Sequence, residues 1–320
     1  MTRGDRASRR ARLIGGAGVL LLAACATAQP ADAPADIAIA GERVFPESIA
    51  SDAAGNIYVG SNGGTIYRAP AGSAEATAWV VPSAGNGLKS LLGVFADEGR
   101  GVLWTCSNPN LFAQPRETGT SSLKGFHLET GALAASHDFP ADKPAACNDM
   151  AVAADGTVYA TETAGGRIFA LRPGAEGLSL FAEGEELVGV DGIAFAGDGT
   201  MYINNVRQNL VQRVDVKDGA YAGLTDLTLS DPVNGPDGLR ALGGNRFLQA
   251  EGPGGRVAIV EVAGDSATVT PVRTGLQSSP GTAAVGKVGY AIEGKIDYLF
   301  NPDLRGKDPG QFVIRAFPLP

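Results

Sequence analysis

The alternation of apolar and polar residues over 190–216 predicts a small antiparallel β-meander. A short apolar segment follows Val190-Asp191-Gly192, and a Gly-Asp-Gly turn leads to a second strand at residues 201–203. An Asn/Gln-rich loop then precedes a third alternating strand, which is the spacing expected of hairpin-linked strands. One such meander cannot bury its own apolar face, so the fold depends on whether the pattern recurs.

The same pattern recurs along the chain with a period in the forties. Clear copies lie at 47–68, 148–171 and 237–262, and weaker ones at 91–108 and 279–294. Aligned on the aromatic residue of the second strand, the units place Tyr58, Trp104, Tyr159, Tyr202, Phe247 and Tyr290 at intervals of 46, 55, 43, 45 and 43 residues. This period, with several short strands per unit, is typical of propeller blades. The sequence therefore predicts an all-β fold, a single six-bladed β-propeller over 36–320.

The two ends of the chain are predicted to complete one blade together. The last unit has two strands and one further strand at 312–317, so it is one strand short. Residues 36–45 alternate weakly and precede the first complete unit. We expect this N-terminal strand to join the last blade as its outer strand, which would close the ring and remove exposed edges.

The N-terminus predicts export. Residues 1–24 combine five Arg with an apolar run at 13–24, too short to span a bilayer, and are typical of a signal peptide. The end of this segment resembles a bacterial lipobox, so we expect lipidation at Cys25; cleavage after Ala28 and a twin-arginine signal are alternatives. Residues 25–35 would be a Pro/Ala tether. These features predict a location on the periplasmic side, with a lipid anchor at Cys25 as the only membrane contact.

The net negative charge of the chain indicates which kinds of molecule it can bind. The full sequence carries a formal net charge of −8, and five of its Arg lie in the signal peptide, so the mature protein is more acidic still. An acidic body argues against nucleic acid as a partner and is compatible with a bound cation. We expect a monomer that acts on a small molecule.

Two internal cysteines are predicted to lie close together. Cys106 falls at the end of the second strand of unit two, and Cys147 immediately precedes the first strand of unit three. In a propeller these positions lie at the same mouth of adjacent blades. In an oxidising compartment they would form a disulfide, the alternative being two buried thiols.

One position in each unit opens the innermost strand, and we call these six positions the channel ring. They are Glu47, Leu92, Asn148, Asp191, Asp237 and Pro280. Carboxylates that converge in a confined space repel one another unless a cation lies between them. Oxygen donors of this kind favour Ca²⁺, with Mg²⁺, Mn²⁺ or Zn²⁺ as alternatives. The competing interpretation is that Asp and Asn only turn the chain ahead of a glycine.

The ring motifs resemble those of the SMP-30/gluconolactonase/luciferin-regenerating family, metal-dependent six-bladed propellers. The resemblance lies in Pro46-Glu47, Asn148-Asp149, Asp191-Gly192 and the Gly-Pro-Asp-Gly at 235–238. It implies that Glu47, Asp191 and Asp237 bind a divalent metal and that Asn148 contacts the metal or the substrate. Asp191 stands where Asn is common in that family, which favours Ca²⁺. Ala146 stands where gluconolactonases often have Arg, which leaves the substrate open.

The activity that the resemblance implies is hydrolysis of a lactone or related ester at the metal. Asp237 is the predicted catalytic carboxylate, near the attacking water. Polar residues at the same mouth would meet the substrate, and Arg207 would neutralise a substrate carboxylate. The predicted substrate-binding residues are Asn148, Glu162, Asn205, Arg207 and Glu251.

Other chemistries are less compatible with the sequence. The only histidines, His127 and His137, fall on predicted outer strands, and there is no Gly-x-Ser-x-Gly elbow for a serine hydrolase. Two alternatives stay open. One is a non-catalytic lipoprotein whose propeller binds a ligand or protein and keeps the cation for structure; the other is a condensing propeller like strictosidine synthase.

Overall fold

The computed structural model describes Met1 and residues 34–140 and 143–320. The predicted signal peptide, Cys25 and most of the tether lie outside the described residues. The chain divides into the units Met1–Asp32 and Ala33–Pro320, and every strand described below belongs to the second unit. Within the described part of the chain, no helix has the length and apolar character needed to cross a membrane.

The described residues form an all-β structure, as predicted. Three sheets have four antiparallel strands each, in chain order. They contain β6 (Ser90–Asp97), β7 (Val102–Asn108), β8 (Ser122–His127) and β9 (Leu133–Asp138); β10 (Cys147–Val152), β11 (Val158–Glu162), β12 (Arg167–Leu171) and β13 (Ser179–Glu183); and β14 (Val190–Phe195), β15 (Met201–Asn205), β16 (Leu210–Lys217) and β17 (Ala220–Asp226).

Two larger sheets contain the other strands. A five-stranded sheet holds β18 (Thr228–Leu229), β19 (Pro236–Gly243), β20 (Arg246–Glu251), β21 (Arg256–Ala263) and β22 (Ser266–Thr274). An eight-stranded sheet holds β1 (Ile37–Ile39), β2 (Pro46–Ser51), β3 (Ile57–Ser61), β4 (Ile66–Ala69), β5 (Glu75–Val80), β23 (Thr282–Val285), β24 (Val288–Ile292) and β25 (Phe312–Pro318). The helical segments are a 3-10 turn at Glu185–Leu187 and α1 at Asp297–Phe300.

The eight-stranded sheet brings the two ends of the described chain together. Strand β1 pairs antiparallel with β25, with Ile37 opposite Ile314, and parallel with β5, with Ala38 opposite Glu75. The strand is shorter than the predicted 36–45, because residues 40–45 turn toward β2. β1 therefore joins the strands of the first unit to those of the last.

The first strand of every unit packs against the first strand of the next. β2, β6, β10, β14, β19 and β23 contact one another in this order, and β23 contacts β2, so that the six strands form a cycle. Glycines allow this close approach: a Cβ at Gly93 would lie 2.3 Å from the Asn148 carbonyl oxygen, and one at Gly192 would lie 2.3 Å from the Asp237 carbonyl oxygen. The glycine after a channel-ring residue thus serves packing between strands.

The aromatic residues that revealed the repeat pack between neighbouring sheets. Tyr58 and Phe247 are fully buried, and the Tyr202 and Phe247 ring centroids lie 5.2 Å apart. Burial of one such side chain contributes roughly 1.5–3 kcal/mol to the free energy of unfolding. The repeat therefore reflects the need of each sheet to bury its face against the next.

Candidate metal-binding site

The channel-ring residues lie at irregularities in the first strands. The pairing register shifts between Pro46 and Ser48, Leu91 and Val94, Cys147 and Met150, Val190 and Ile193, and Pro236 and Leu239. A bulge removes a residue from the ladder and redirects its side chain, and bulges often adjoin active sites. The same irregularity at five ring positions is therefore the local structure that presents Glu47, Asn148, Asp191 and Asp237.

Hydrogen bonds between neighbouring strands hold Asn148 and Asp191 in place. Asn148 Nδ2 donates to Asp191 Oδ2 at 2.7 Å and to Thr163 Oγ1 at 2.8 Å. The Thr161 hydroxyl donates to the Asp191 carbonyl oxygen at 2.7 Å. Both Asn148 and Asp191 are buried, whereas Glu47 and Asp237 are partly exposed.

Burial raises the pKa of all three ring carboxyl groups, and neighbouring acids add to the effect. Burial, followed by the charge of Asp149, raises the pKa of Asp191 to about 7. Burial, followed by the charges of Asp191 and Glu47, raises the pKa of Asp237 well above its usual range. Burial, followed by the charges of Asp191 and Asp149, does the same to the pKa of Glu47. The charge of Asp191 thus acts on both Glu47 and Asp237.

The donor chemistry of this group fits a hard divalent cation. With the carboxylates ionised, Asp191 Oδ1 is buried and has no hydrogen-bond partner among the described residues. Such an atom is costly to bury unless a proton or a cation satisfies it. Yet in residues 34–140 and 143–320 no three His, Cys, Asp or Glu side chains already form a group that could hold a metal ion. The carboxylates would have to close around a bound ion.

An ion pair beside the ring was missed by sequence reasoning. Arg240 Nη1 lies 2.6 Å from Asp149 Oδ2, and Arg240 Nη2 donates to Asp149 Oδ1 at 3.0 Å. The prediction considers one position on each inner strand. Asp149 lies one position after Asn148, and Arg240 lies three positions after Asp237, so neither is included. The signal available in the sequence was a basic residue on an inner strand of an acidic channel.

Glu162 and Glu251, predicted to contact a substrate, are hydrogen-bonded within the protein. Glu162 is fully buried; its Oε1 accepts from the Ala146 amide at 2.8 Å and its Oε2 from Arg167 Nε at 2.9 Å. Glu251 is also fully buried and accepts from Arg256 Nε at 2.8 Å. Each glutamate joins the end of the second strand of its unit to the start of the third.

Asn205 is likewise used within the protein. It is buried, its Oδ1 accepts from the Arg207 and Gln208 amides at 3.1 and 3.0 Å, and its Nδ2 donates to the Val188 carbonyl oxygen at 3.0 Å. These bonds shape the turn after β15. Arg207 is exposed at this turn and, among the described residues, forms no ion pair. Of the predicted substrate-binding residues, Arg207 is exposed, whereas the Asn148 amide nitrogen is already bonded to Asp191 and Thr163.

The predicted disulfide between Cys106 and Cys147 is present, with Cα atoms 5.3 Å apart. Beside it, Asn108 Nδ2 donates to the Cys147 carbonyl oxygen at 2.8 Å and Asn108 Oδ1 accepts from the Cys147 amide at 3.0 Å. Because Cys147 directly precedes Asn148, these links restrain the start of β10 where the ring amide is presented.

A cavity of about 560 Å³ is lined by residues that are close to Asn148 or Thr163 in the sequence. Its wall includes Ala145, three residues before Asn148, and Ala164, which follows the Thr163 that bonds to Asn148. The lining is mainly apolar with charged residues among it: Pro109, Leu111, Arg116, Glu117, Thr118, Gly119, Thr120, Ser121, Phe139, Pro140, Lys143, Pro144, Ala145 and Ala164. Loop 109–121 belongs to the longest sequence unit, so the cavity results from an insertion in that unit.

Comparison with known proteins gives the fold class. Residues 35–69 match the family described as strictosidine synthase-like, N-terminal. A search of curated protein sequences finds no match. A gluconolactonase from Xanthomonas campestris superimposes with a TM-score of 0.62 and 15% identity, covering 87% of each chain. A luciferin-regenerating enzyme gives a TM-score of 0.60 and 13% identity over 87% of this chain and 93% of its own.

A third structure is similar to the same extent. The major allergen Mala s 1 of Malassezia sympodialis gives a TM-score of 0.67 and 15% identity over 88% of this chain and 96% of its own. At these identities the comparisons establish the fold, which is a β-propeller. They agree with the resemblance found in the sequence, because a gluconolactonase and a luciferin-regenerating enzyme are among the structures with this fold.

Proposed function

We propose that the protein is a metal-dependent hydrolase of the gluconolactonase type, which opens a lactone or related ester. The observation that carries the proposal is the group of Glu47, Asp191 and Asp237: burial raises the pKa of all three carboxyl groups, the charge of Asp191 raises those of Glu47 and Asp237 further, and Asp191 Oδ1 is buried without a hydrogen-bond partner among the described residues. Proteins keep such an arrangement at a cost in stability, and functional sites are where that cost is tolerated.

Glu47, Asp191 and Asp237 would hold the metal, most favourably Ca²⁺, and Asn148 would fix the Asp191 carboxylate or turn its own amide oxygen to the ion. When bound, the ion would polarise the ester carbonyl and stabilise the oxyanion. Asp237 is the more exposed of the two ring aspartates, which suits its carboxylate to reach the attacking water and accept a proton from it.

The cavity lined by Ala145 and Ala164 and the exposed Arg207 support a small-molecule substrate with an apolar part and an anionic group. The apolar walls would take the organic part of the ester. Arg207, free of an acidic partner within the described structure, would attract a carboxylate.

Hydrolysis of a panel of lactones and aryl esters, with Ca²⁺ or Mn²⁺ and then with EDTA, tests the proposal. We expect activity that EDTA abolishes and that Asp237→Ala lowers by at least about a hundredfold with the circular dichroism unchanged. The matched control is Glu129→Ala, which removes an exposed acid from the turn between β8 and β9. Equal activity of Asp237→Ala and the wild type would exclude the assigned role.

The alternative is a non-catalytic protein that binds a ligand or another protein and uses the cation for structure. Two observations favour it: the carboxylates of the described residues do not yet form a complete metal-ligand group, and an allergen shares the fold. Ca²⁺ binding without turnover of any ester in the panel would support this alternative.

We further propose that the six units are the blades of one closed propeller, with β1 as the outer strand of the last blade. The cycle of contacts among the first strands and the pairing of β1 with β25 support it. The sequence of residues 1–35 supports export, lipidation at Cys25 and a periplasmic location, with the propeller acting as a monomer.

A further inference from the structure

Arg240 lies in the channel among five oxygen atoms of four residues. Its guanidinium contacts both oxygens of Asp149, at 2.6 and 3.0 Å, and the Leu239 carbonyl oxygen at 2.8 Å. It also donates to the Val94 carbonyl oxygen at 3.1 Å and to Ser48 Oγ at 3.3 Å. The oxygens therefore include one carboxylate, two carbonyl groups and one hydroxyl.

These oxygens come from four different first strands: Ser48 from β2, Val94 from β6, Asp149 from β10 and Leu239 from β19. The side chains of Arg240 and Asp149 are only 11% and 4% exposed. These four strands belong to separate units. The Arg240 guanidinium therefore connects four inner strands through one positive charge.

The same set of oxygens is suited to a metal ion. Ca²⁺ prefers several carboxylate, carbonyl and hydroxyl oxygens around one point, with few directional demands. A guanidinium needs one acceptor for each N–H, and Arg240 Nε is buried without a partner among the described residues. The Arg240 guanidinium thus neutralises the Asp149 carboxylate, while its own Nε–H has no acceptor among the described residues.

We propose that the Arg240 guanidinium is a built-in cation of the channel, filling an oxygen cage that would otherwise bind a divalent metal ion. The cage consists of other residues than the proposed metal site of Glu47, Asp191 and Asp237, although the Arg240 charge lowers the pKa of Glu47 and Asp191. The inference does not require the proposed site to bind a metal, since it concerns the difference that Arg240 makes.

Calorimetric titration of Ca²⁺ into the wild type and Arg240→Met tests the inference. Methionine keeps much of the side-chain volume and removes the charge, so we expect the variant to bind one more Ca²⁺ per chain than the wild type. If the proposed metal site does not bind Ca²⁺, we expect no bound ion in the wild type and one in Arg240→Met. If that site does bind Ca²⁺, we expect one ion in the wild type and two in the variant. The failure of one proposal is thereby distinguishable from the failure of the other.

Two controls separate this effect from a general change in charge. Arg273→Met removes an exposed Arg from β22 and should bind as many Ca²⁺ ions as the wild type. The double variant Asp149→Asn/Arg240→Met removes the cage carboxylate together with the guanidinium, and it should lose the additional ion. An additional ion in Arg273→Met would contradict the inference.

Thermal melting gives a second measurement where Arg240→Met is unstable without metal. We expect Ca²⁺ to raise the Tm of this variant more than that of the wild type, because the ion restores the missing charge. Arg240→Gln, which can still donate hydrogen bonds, should show the same larger shift. Equal Ca²⁺-dependent shifts in the wild type and both variants, or an unchanged number of bound ions in folded Arg240→Met, would overturn the inference.

Discussion

Asn148 Nδ2 donates a hydrogen bond to Asp191 Oδ2 over 2.7 Å, although the two residues are 43 positions apart in the chain. Asn148 lies on β10 and Asp191 on β14, so the bond connects the first strands of two sheets. It satisfies one oxygen of Asp191 and leaves the other without a donor within the described structure. This half-satisfied carboxylate is the element on which the stability and the proposed chemistry of the site both depend.

Asp191→Asn should stabilise the metal-free protein and weaken Ca²⁺ binding. The substitution removes a buried charge beside Asp149 and Asp237 at nearly constant volume. We expect a higher Tm in EDTA and a loss of Ca²⁺ affinity of roughly tenfold or more, since tenfold corresponds to about 1.4 kcal/mol. Thermal melting and calorimetric titration measure the two effects. Glu129→Gln, at an exposed turn, should change neither, and a lower Tm for Asp191→Asn would contradict the proposed repulsion.

The metal-free protein should lose stability as the pH rises from about 4 to 8. Asp191 has a pKa of about 7 in the folded state against an ordinary value of 3.8, so between these values the native state binds more protons than the unfolded state. Stability therefore falls with increasing pH in this window. Glu47, Asp149, Asp237 and Arg240 are the charged groups around it.

We expect the Tm in EDTA to be lower at pH 8 than at pH 5 by roughly 5 °C, as several kcal/mol at one buried site would produce in a domain of this size. Ca²⁺ should raise the Tm more at pH 8 than at pH 5, because the ionised carboxylates bind the cation. A Tm in EDTA that increases from pH 5 to pH 8 would exclude this electrostatic account.

Glu162→Gln should impair folding and leave substrate affinity unchanged. The substitution leaves the buried Arg167 guanidinium without its anionic partner, and removing one partner of a buried ion pair costs about 3–5 kcal/mol. Urea denaturation measures the loss. Glu183→Gln is the matched control, because Glu183 pairs with Lys143 at the surface and should cost less than about 1 kcal/mol. A rise in KM with unchanged stability would restore Glu162 as a substrate contact.

Removal of residues 36–45 should abolish soluble folding. The deletion takes away β1 and leaves the edges of β25 and β5 unpaired. It also removes Asp36, whose carboxylate lies 2.9 Å from Arg315. Expression of chains that begin at residue 34 and at residue 46 compares the two cases, and only the longer chain should be soluble. Equal melting temperatures for both would show that β1 does not hold the ring together.

The features found from the sequence are those that repeat or follow from residue type. The aromatic spacing predicts the strands around Tyr58 and Phe247, because every sheet must bury the same face against its neighbour. The register of the inner strands predicts the association of Glu47, Asp191 and Asp237. Single-sequence patterns do not show which polar residue is already satisfied, and for this reason the bonds of Glu162 to Ala146 and Arg167 could not be predicted.

The amino-acid sequence by itself determined the all-β propeller fold and the strand that carries each ring acid, because these depend on periodicity and position along a repeat. It placed Cys106 near Cys147 but left two free thiols as the alternative to the disulfide. Only the tertiary structure decided how the polar residues are used. Glu162 is paired with Arg167, while Arg240 on β19 bonds to Asp149 on β10. Such partnerships depend on distances across separate units, and local hydrophobic patterning contains no information about them.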